Sequence, residues 1–291
     1  MENIQTNNIA ETIINTINTI FNTLFTSIDK NIYDILDKLT FINTDILNDS
    51  AIKNFLNSEN IILIANSLLT GFIIYYCIKL LMSHLFYVEL EKPQQFIFKI
   101  IIFAICINFS YFICEKIIYL NDLISSSIIQ VGKNTLNLEI NFSTLINKIN
   151  NLIQIEKSNF NIFSIEGLLK SFLSLELFNL ILSYSLRYVI IKIFVVMSPF
   201  AFLSLINYST SCFFKSWFKT FLSLLLLQAF VSIILIIIFS LDTFSTDIFS
   251  KLLYISGIYI LSKANNYIRE LIGGISLNFQ GYVNRFTNIS K

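Results

Sequence analysis

Charge is the first thing this chain is short of. Only 13% of its 291 residues are Asp, Glu, Lys or Arg, and the net charge is +1. A protein that holds nucleic acid through its overall field carries a basic excess, so that footprint is missing and any such contact is local. Glycine and proline are scarce as well, at 7 and 2 residues. Gly132 and Gly167 are isolated and no G-x-x-x-x-G-K-[ST] run exists, which excludes a phosphate-cradling loop. The single histidine, His84, reads as an interfacial or hydrogen-bonded residue. Cys77, Cys106, Cys114 and Cys212 have no C-x-x-C spacing and no histidine nearby, so neither a zinc site nor a disulfide is expected, and they read as small buried hydrophobes. There is no Ser/His/Asp set, no carboxylate pair inside an apolar run and no metal-ligand spacing. No enzymatic activity and no cofactor are expected.

What is present is apolar. Hydrophobic residues make up 55% of the chain, and the mean hydropathy of +0.69 lies outside the usual range of soluble domains. From Thr220 to Leu241 no residue is charged; those 22 residues give a helix of about 33 Å, enough for a hydrocarbon core of about 30 Å. The fold class that follows is all-α: a polytopic helical membrane protein with about five transmembrane helices and an N-terminal amphipathic helical segment.

Residues 1–59 form that segment. Ile9, Ile13, Ile17, Ile20, Leu24, Ile28, Ile32, Ile35 and Leu39 recur every three or four residues, the period of one long helix or two in series. Eight acidic residues against three basic ones disfavour an anionic leaflet and favour a protein partner, a neighbouring subunit or the chain's own membrane domain. A cleaved leader is not expected, because no basic stretch precedes a compact apolar block. A transmembrane domain over 60–262 has expected spans at about 61–82, 96–118, 177–206, 217–239 and 248–262. Residues 119–170 are expected as a partly structured extracytoplasmic loop with a short amphipathic helix near 145–156, and 263–291 as a cytoplasmic tail with a helix stop at Gly273-Gly274. The third span is too long for one bilayer crossing, and Pro199 is where it is expected to break.

Lysine and arginine set the orientation. Lys79, Lys92 and Lys99 flank the first connector, Lys215 and Lys219 the third. Lys263, Arg269, Arg285 and Lys291 sit in the tail against Glu270 alone, while Asp242 and Asp247 occupy the fourth connector. All agree on the N-terminus outside and the C-terminus in the cytoplasm.

The anomalies are polar residues inside spans. Arg187 and Lys192 lie in the third, where a cation costs about 2.5–3.5 kcal/mol and must face protein or water. Glu176, eleven residues before Arg187, is on nearly the same helix face but about 16 Å away, too far to pair. Two readings stay open for the cations. Either Lys192 snorkels and Arg187 donates to neighbouring carbonyls, or both line a route for an anionic polymer or fix subunit contacts. Gln228, mid-span, reads as an interhelical hydrogen-bonding residue or a substrate contact. Pro199 allows the hairpin to turn, Trp217 is expected at interface level, and Lys215 and Lys219, four apart, suit lipid headgroups or a cytoplasmic partner.

Arg187, Ser198-Pro199-Phe200-Ala201, Phe214-Lys215-Ser216-Trp217-Phe218-Lys219 and Leu227-Gln228-Ala229 follow one another in an order that resembles the TrbL family, the polytopic inner-membrane subunit of conjugative type IV secretion systems. The match covers about 55 residues; where that family often has an acid just after the Arg, the next charge here is Lys192. The resemblance implies a bacterial cytoplasmic-membrane channel or platform component that helps move single-stranded DNA with its relaxase, or a secreted protein. It also implies homo-oligomers, partner secretion subunits including cytoplasmic ATPases, and contact with membrane lipid. The rival expectations are a secondary transporter or small ion channel, for which no pair of broken helices in two halves is visible, and a membrane scaffold without its own transport path.

Overall fold

The structure, a computed structural model, describes residues 11–20, 23, 30–48, 60–86, 92–152, 165–241 and 248–272. It is all-α, with no strand among the described residues. Residues 11–20 are helical. Then follow α1 (Lys30–Thr40), a 3-10 turn (Thr44–Leu47), α2 (Asn60–Phe86), α3 (Pro93–Asn108), α4 (Ser110–Leu136) and α5 (Phe142–Leu152). The chain continues through α6 (Ile165–Val196), α7 (Ser198–Leu203), α8 (Ser211–Ser240) and α9 (Ile248–Ile272).

Among the described residues three helices are long and apolar enough to cross a membrane: α2, α6 and α8. The pair α3 and α4, bent by 61°, counts as a fourth if it is one broken span. The helix expected to span at 248–262 is present as α9, but Lys251, Lys263 and the Asn265-Asn266 pair dilute it below that apolar standard. Gly273-Gly274 and the expected tail from 273 onward lie outside the described residues, as do 153–156 of the expected loop helix.

The hub is α8, 67% of whose apolar stretch is buried. It packs against α9, α4 and α6, and α6 also packs on α9. Two glycines permit the approach. A Cβ on Gly132 of α4 would come within 2.5 Å of Ile236 of α8, and one on Gly257 of α9 within 2.7 Å of Ile238. At the periphery, α2 and α3 pack around α7, where the rings of Tyr76 and Phe96 stack at 3.5 Å.

Two expectations are corrected. The second span is not one helix over 96–118, because α3 stops at Asn108 and α4 runs on to Leu136. No proline or glycine stands at this elbow. Asn108 turns its Nδ2 back onto the Ala104 carbonyl at 2.8 Å and accepts from Asn66 Nδ2 at 3.3 Å; an amide that competes for backbone groups bends a helix. Residues 119–136, expected in the loop, are therefore helix. Ser125 and Ser127 satisfy their hydroxyls on carbonyls within α4 rather than breaking it. That helix ends at Asn137, in the left-handed conformation at φ 51°, with its N–H on the Lys133 carbonyl. The expected break at Pro199 is observed: α6 ends at Val196 and α7 restarts with Pro199 in its first turn.

Candidate functional site

The polar residues singled out in the third and fourth spans converge on a segment far away in sequence. Helix α1 and the 3-10 turn after it lie against the bundle, burying Leu36, Thr40, Ile42 and Ile46 while Ile35, Lys38, Asn43 and Asp45 stay exposed, with α1 packed on α5 and α6. Leu36 joins the core built by α5, α6, α8 and α9. Ile42 and Ile46 join a second core with Ile118, Ile191 and Phe221. Residues 30–48 thus tie two apolar clusters together.

Between them the chain leaves helical form. The last carbonyls of a helix have no partner within it, and α1 exposes those of Leu39 and Thr40 deep among other helices. Arg187 supplies the donors. Its Nε donates to the Leu224 carbonyl of α8 at 2.7 Å and its Nη1 to the Thr40 carbonyl at 2.9 Å, with a longer 3.5 Å contact to Leu39. The guanidinium is 0% exposed and has no carboxylate within ion-pair distance among the described residues. What balances its charge is the negative end of the α1 dipole together with the carbonyls. Nη2 has no hydrogen-bond partner.

Gln228 completes the grip from the other side. Its Oε1 accepts from the Ile42 amide at 3.1 Å and from Asn121 Nδ2 of α4 at 3.2 Å. Its Nε2 donates to Ser125 Oγ at 2.8 Å and, at 3.4 Å, to Asp122 Oδ1. Farther along α1, Asp37 Oδ1 accepts from the Phe142 amide at 3.0 Å, capping the start of α5 beside Asn141, whose Oδ1 accepts from the Thr144 amide. Leu224 lies thirteen residues into the thirty of α8, about 20 Å from its start. Non-helical backbone at that depth is tolerated only where protein satisfies its polar groups. Arg187 and Gln228 do this.

The other expected residues fall elsewhere. Lys192 is half-buried, with its Nζ 4.7 Å from the centre of the Tyr188 ring. Glu176 accepts from Ser262 Oγ of α9 at 2.7 Å. Lys215 and Lys219 are exposed on the first turns of α8. Trp217, expected at interface level, is 4% exposed and packed among other helices. Because α6 ends at Val196 the Phe194 carbonyl is one of the last, without a partner inside the helix, and Trp217 Nε1 donates to it at 3.1 Å. Its ring stacks on those of Phe194 and Phe221. Of the cysteines only Cys114 is fully buried; Cys106 is half-buried, and Cys77 and Cys212 are exposed.

Sequence reasoning missed Asp37, Asn121 and Ser125. Their one signal is polarity at positions that the helical period turns inward.

No family model, curated protein or solved structure matches this chain.

Proposed function

We propose that this chain is a helical inner-membrane subunit of TrbL type, a platform component of a bacterial conjugative type IV secretion system. It sits with its N-terminus outside and its C-terminus in the cytoplasm. It works as an oligomer with secretion ATPases and other envelope subunits, and serves transfer of single-stranded DNA with its relaxase or of a secreted protein. The observation that carries the reading is that the residues of the resemblance act as one physical unit. Arg187 and Gln228 grip residues 39–42, Pro199 breaks the hairpin, and Trp217 closes the break. An order of motifs that also makes one packed device is harder to assemble by chance than the motifs alone.

A membrane scaffold with no conduit of its own is the second reading. It is favoured by Arg187 and Gln228, both 0% exposed and both engaged with the chain's own backbone. A polymer passing through the chain would need those groups free.

The test is transfer from a donor strain in which the gene is deleted and complemented. The wild-type chain is expected to restore transfer. Arg187→Ala, recovered at normal level in membranes, is expected to restore it poorly. Full transfer without the gene overturns both readings. Photocrosslinking of transferring DNA to positions around Arg187 separates conduit from scaffold.

A further inference from the structure

Helices α2, α3, α7 and α8 contain no aspartate or glutamate at all. Their lysines, Lys79, Lys99, Lys215 and Lys219, fall at one end of the bundle, together with Lys92 just before α3. Tyr76 stacks on Phe96 at 3.5 Å, which sets the later turns of α2 beside the first turn of α3. Phe202 of α7 and Phe214 of α8 are 5.2 Å apart and share one apolar cluster with Phe96. Lys79 stands three residues beyond Tyr76, Lys92 four before Phe96, Lys99 three after it, and Lys215 next to Phe214. The connector between α2 and α3 adds Glu89 and Glu91, so five lysines against two acids leave a clear positive excess. Lys79, Lys92, Lys215 and Lys219 are exposed, and none has a carboxylate within ion-pair distance among the described residues.

The lysines do not stand alone on that surface. Ile78 and Leu81 flank Lys79, Ile97 and Phe98 precede Lys99, and Phe213 and Phe218 accompany Lys215 and Lys219, all of them exposed. Beyond them α2 stays open along its length, with only 6% of its apolar stretch buried. A bilayer edge offers hydrocarbon to such rings and aliphatic chains and phosphate to the amines above them.

We propose that this end of α2, α3 and α8 is a docking surface for anionic phospholipid. Lys215 and Lys219 take the phosphate, supported by the lysines of α2 and α3, and the acyl chains lie along the exposed apolar residues. Lys215 and Lys219 are four apart on one face of α8, and no acid stands in its first turn to neutralise them. Lipid is the occupant because one molecule supplies both halves of the surface, the charge and the hydrocarbon. A nucleic acid supplies the charge alone, and an acidic protein at this end leaves the apolar residues that continue along α2 uncovered. Clustered lysines at the end of a membrane-crossing helix attract anionic headgroups. The proposal rests on the membrane placement, not on the secretion assignment.

Trp217, the chain's single tryptophan, sits at this end with its ring 5.8 Å from that of Phe214 and makes the test local. The full chain is reconstituted in phosphatidylcholine vesicles holding a trace of phospholipid with pyrene on one acyl chain. Energy transfer from Trp217 is expected to be greater to labelled phosphatidylglycerol than to labelled phosphatidylcholine. In the double variant Lys215→Gln, Lys219→Gln that excess is expected to fall by about twofold or more, since each lysine near an anionic surface contributes severalfold. Lys133→Gln, at the far end of α4, is expected to leave it unchanged. The substituted side chains are exposed, and unchanged Trp217 emission in unlabelled vesicles shows that the bundle is intact. Equal transfer to the two lipids overturns the surface, as does an excess indifferent to the double variant. An excess that Lys133→Gln lowers equally is an effect of overall charge and overturns it too. None of these outcomes touches the transfer test of the secretion reading, so the two fail separately.

Discussion

Arg187 carries a full charge into an interior that offers it carbonyl oxygens and no carboxylate. Insertion of such a cation costs about 2.5–3.5 kcal/mol, and hydrogen bonds from a charged donor return about 1.5–3 kcal/mol each. The bonds to Leu224 and Thr40 are therefore enough to offset the cost, and the Arg stays because residues 39–42 need it. Truncating it leaves the Thr40 carbonyl unpaired at roughly 1–3 kcal/mol, while the Leu224 carbonyl keeps its place in the α8 ladder. Arg187→Ala is thus expected to raise the maleimide labelling rate of a Thr40→Cys reporter, buried in the intact bundle, by about tenfold or more, each 1.4 kcal/mol being a factor of ten. An unchanged rate shows that the helix end is held by packing alone. Gln228→Leu removes the acceptor for the Ile42 amide from the same segment. Because both residues secure one stretch of backbone, their effects are expected to couple by about 0.5–3 kcal/mol in a double-mutant cycle read by thermal unfolding in nanodiscs. Strict additivity means two independent sites.

Among the elements, the glycines of α2, α4 and α9 sort themselves by what passes them. Gly132→Ala and Gly257→Ala drive a methyl group to 2.5 and 2.7 Å from isoleucine carbons of α8, and overpacking of this kind costs about 1–3 kcal/mol. Gly71→Ala meets no atom and gains up to about 1 kcal/mol of helix propensity in the protomer. Unfolding midpoints of the three variants in detergent check the order: two are lowered and the third is not. The α6–α7 break has its own reporter, since Trp217 is the chain's single tryptophan. Pro199→Ala restores the N–H that would continue α6, pulls α7 into line and costs Trp217 its bond to Phe194. The expected result is a red-shifted emission newly open to an aqueous quencher. An unmoved spectrum means that the aromatic stack, not the proline, sets the break.

For the whole molecule, what was legible depended on how local the cause is. The α8 helix could be read because it needs only an unbroken apolar run, and the end of α6 because Pro199 sits beside it. The elbow at Phe109 was hidden, since it arises from an asparagine amide that elsewhere sits quietly in helices. The return of residues 30–48 onto the bundle was hidden more deeply. Gln228 and Ile42 are 186 positions apart, and the groups gripped are backbone atoms, which no side-chain pattern encodes. Arg187 and Gln228 stood out as polar residues without visible partners, and their partners proved to be main chain. Orientation is the remaining property of the whole. The exposed Lys215 and Lys219 and the exposed Cys212 occupy the same short connector and opening turns of α8. Lysines flanking spans are retained on the cytoplasmic side, so Cys212 should face the cytoplasm. An impermeant maleimide is expected to label it in inverted membrane vesicles and not in right-side-out ones, with Cys77 replaced by serine so that one exposed thiol remains. The opposite pattern inverts the chain, puts the lysine-bearing bend where no cytoplasmic ATPase can reach it, and removes the secretion reading with it.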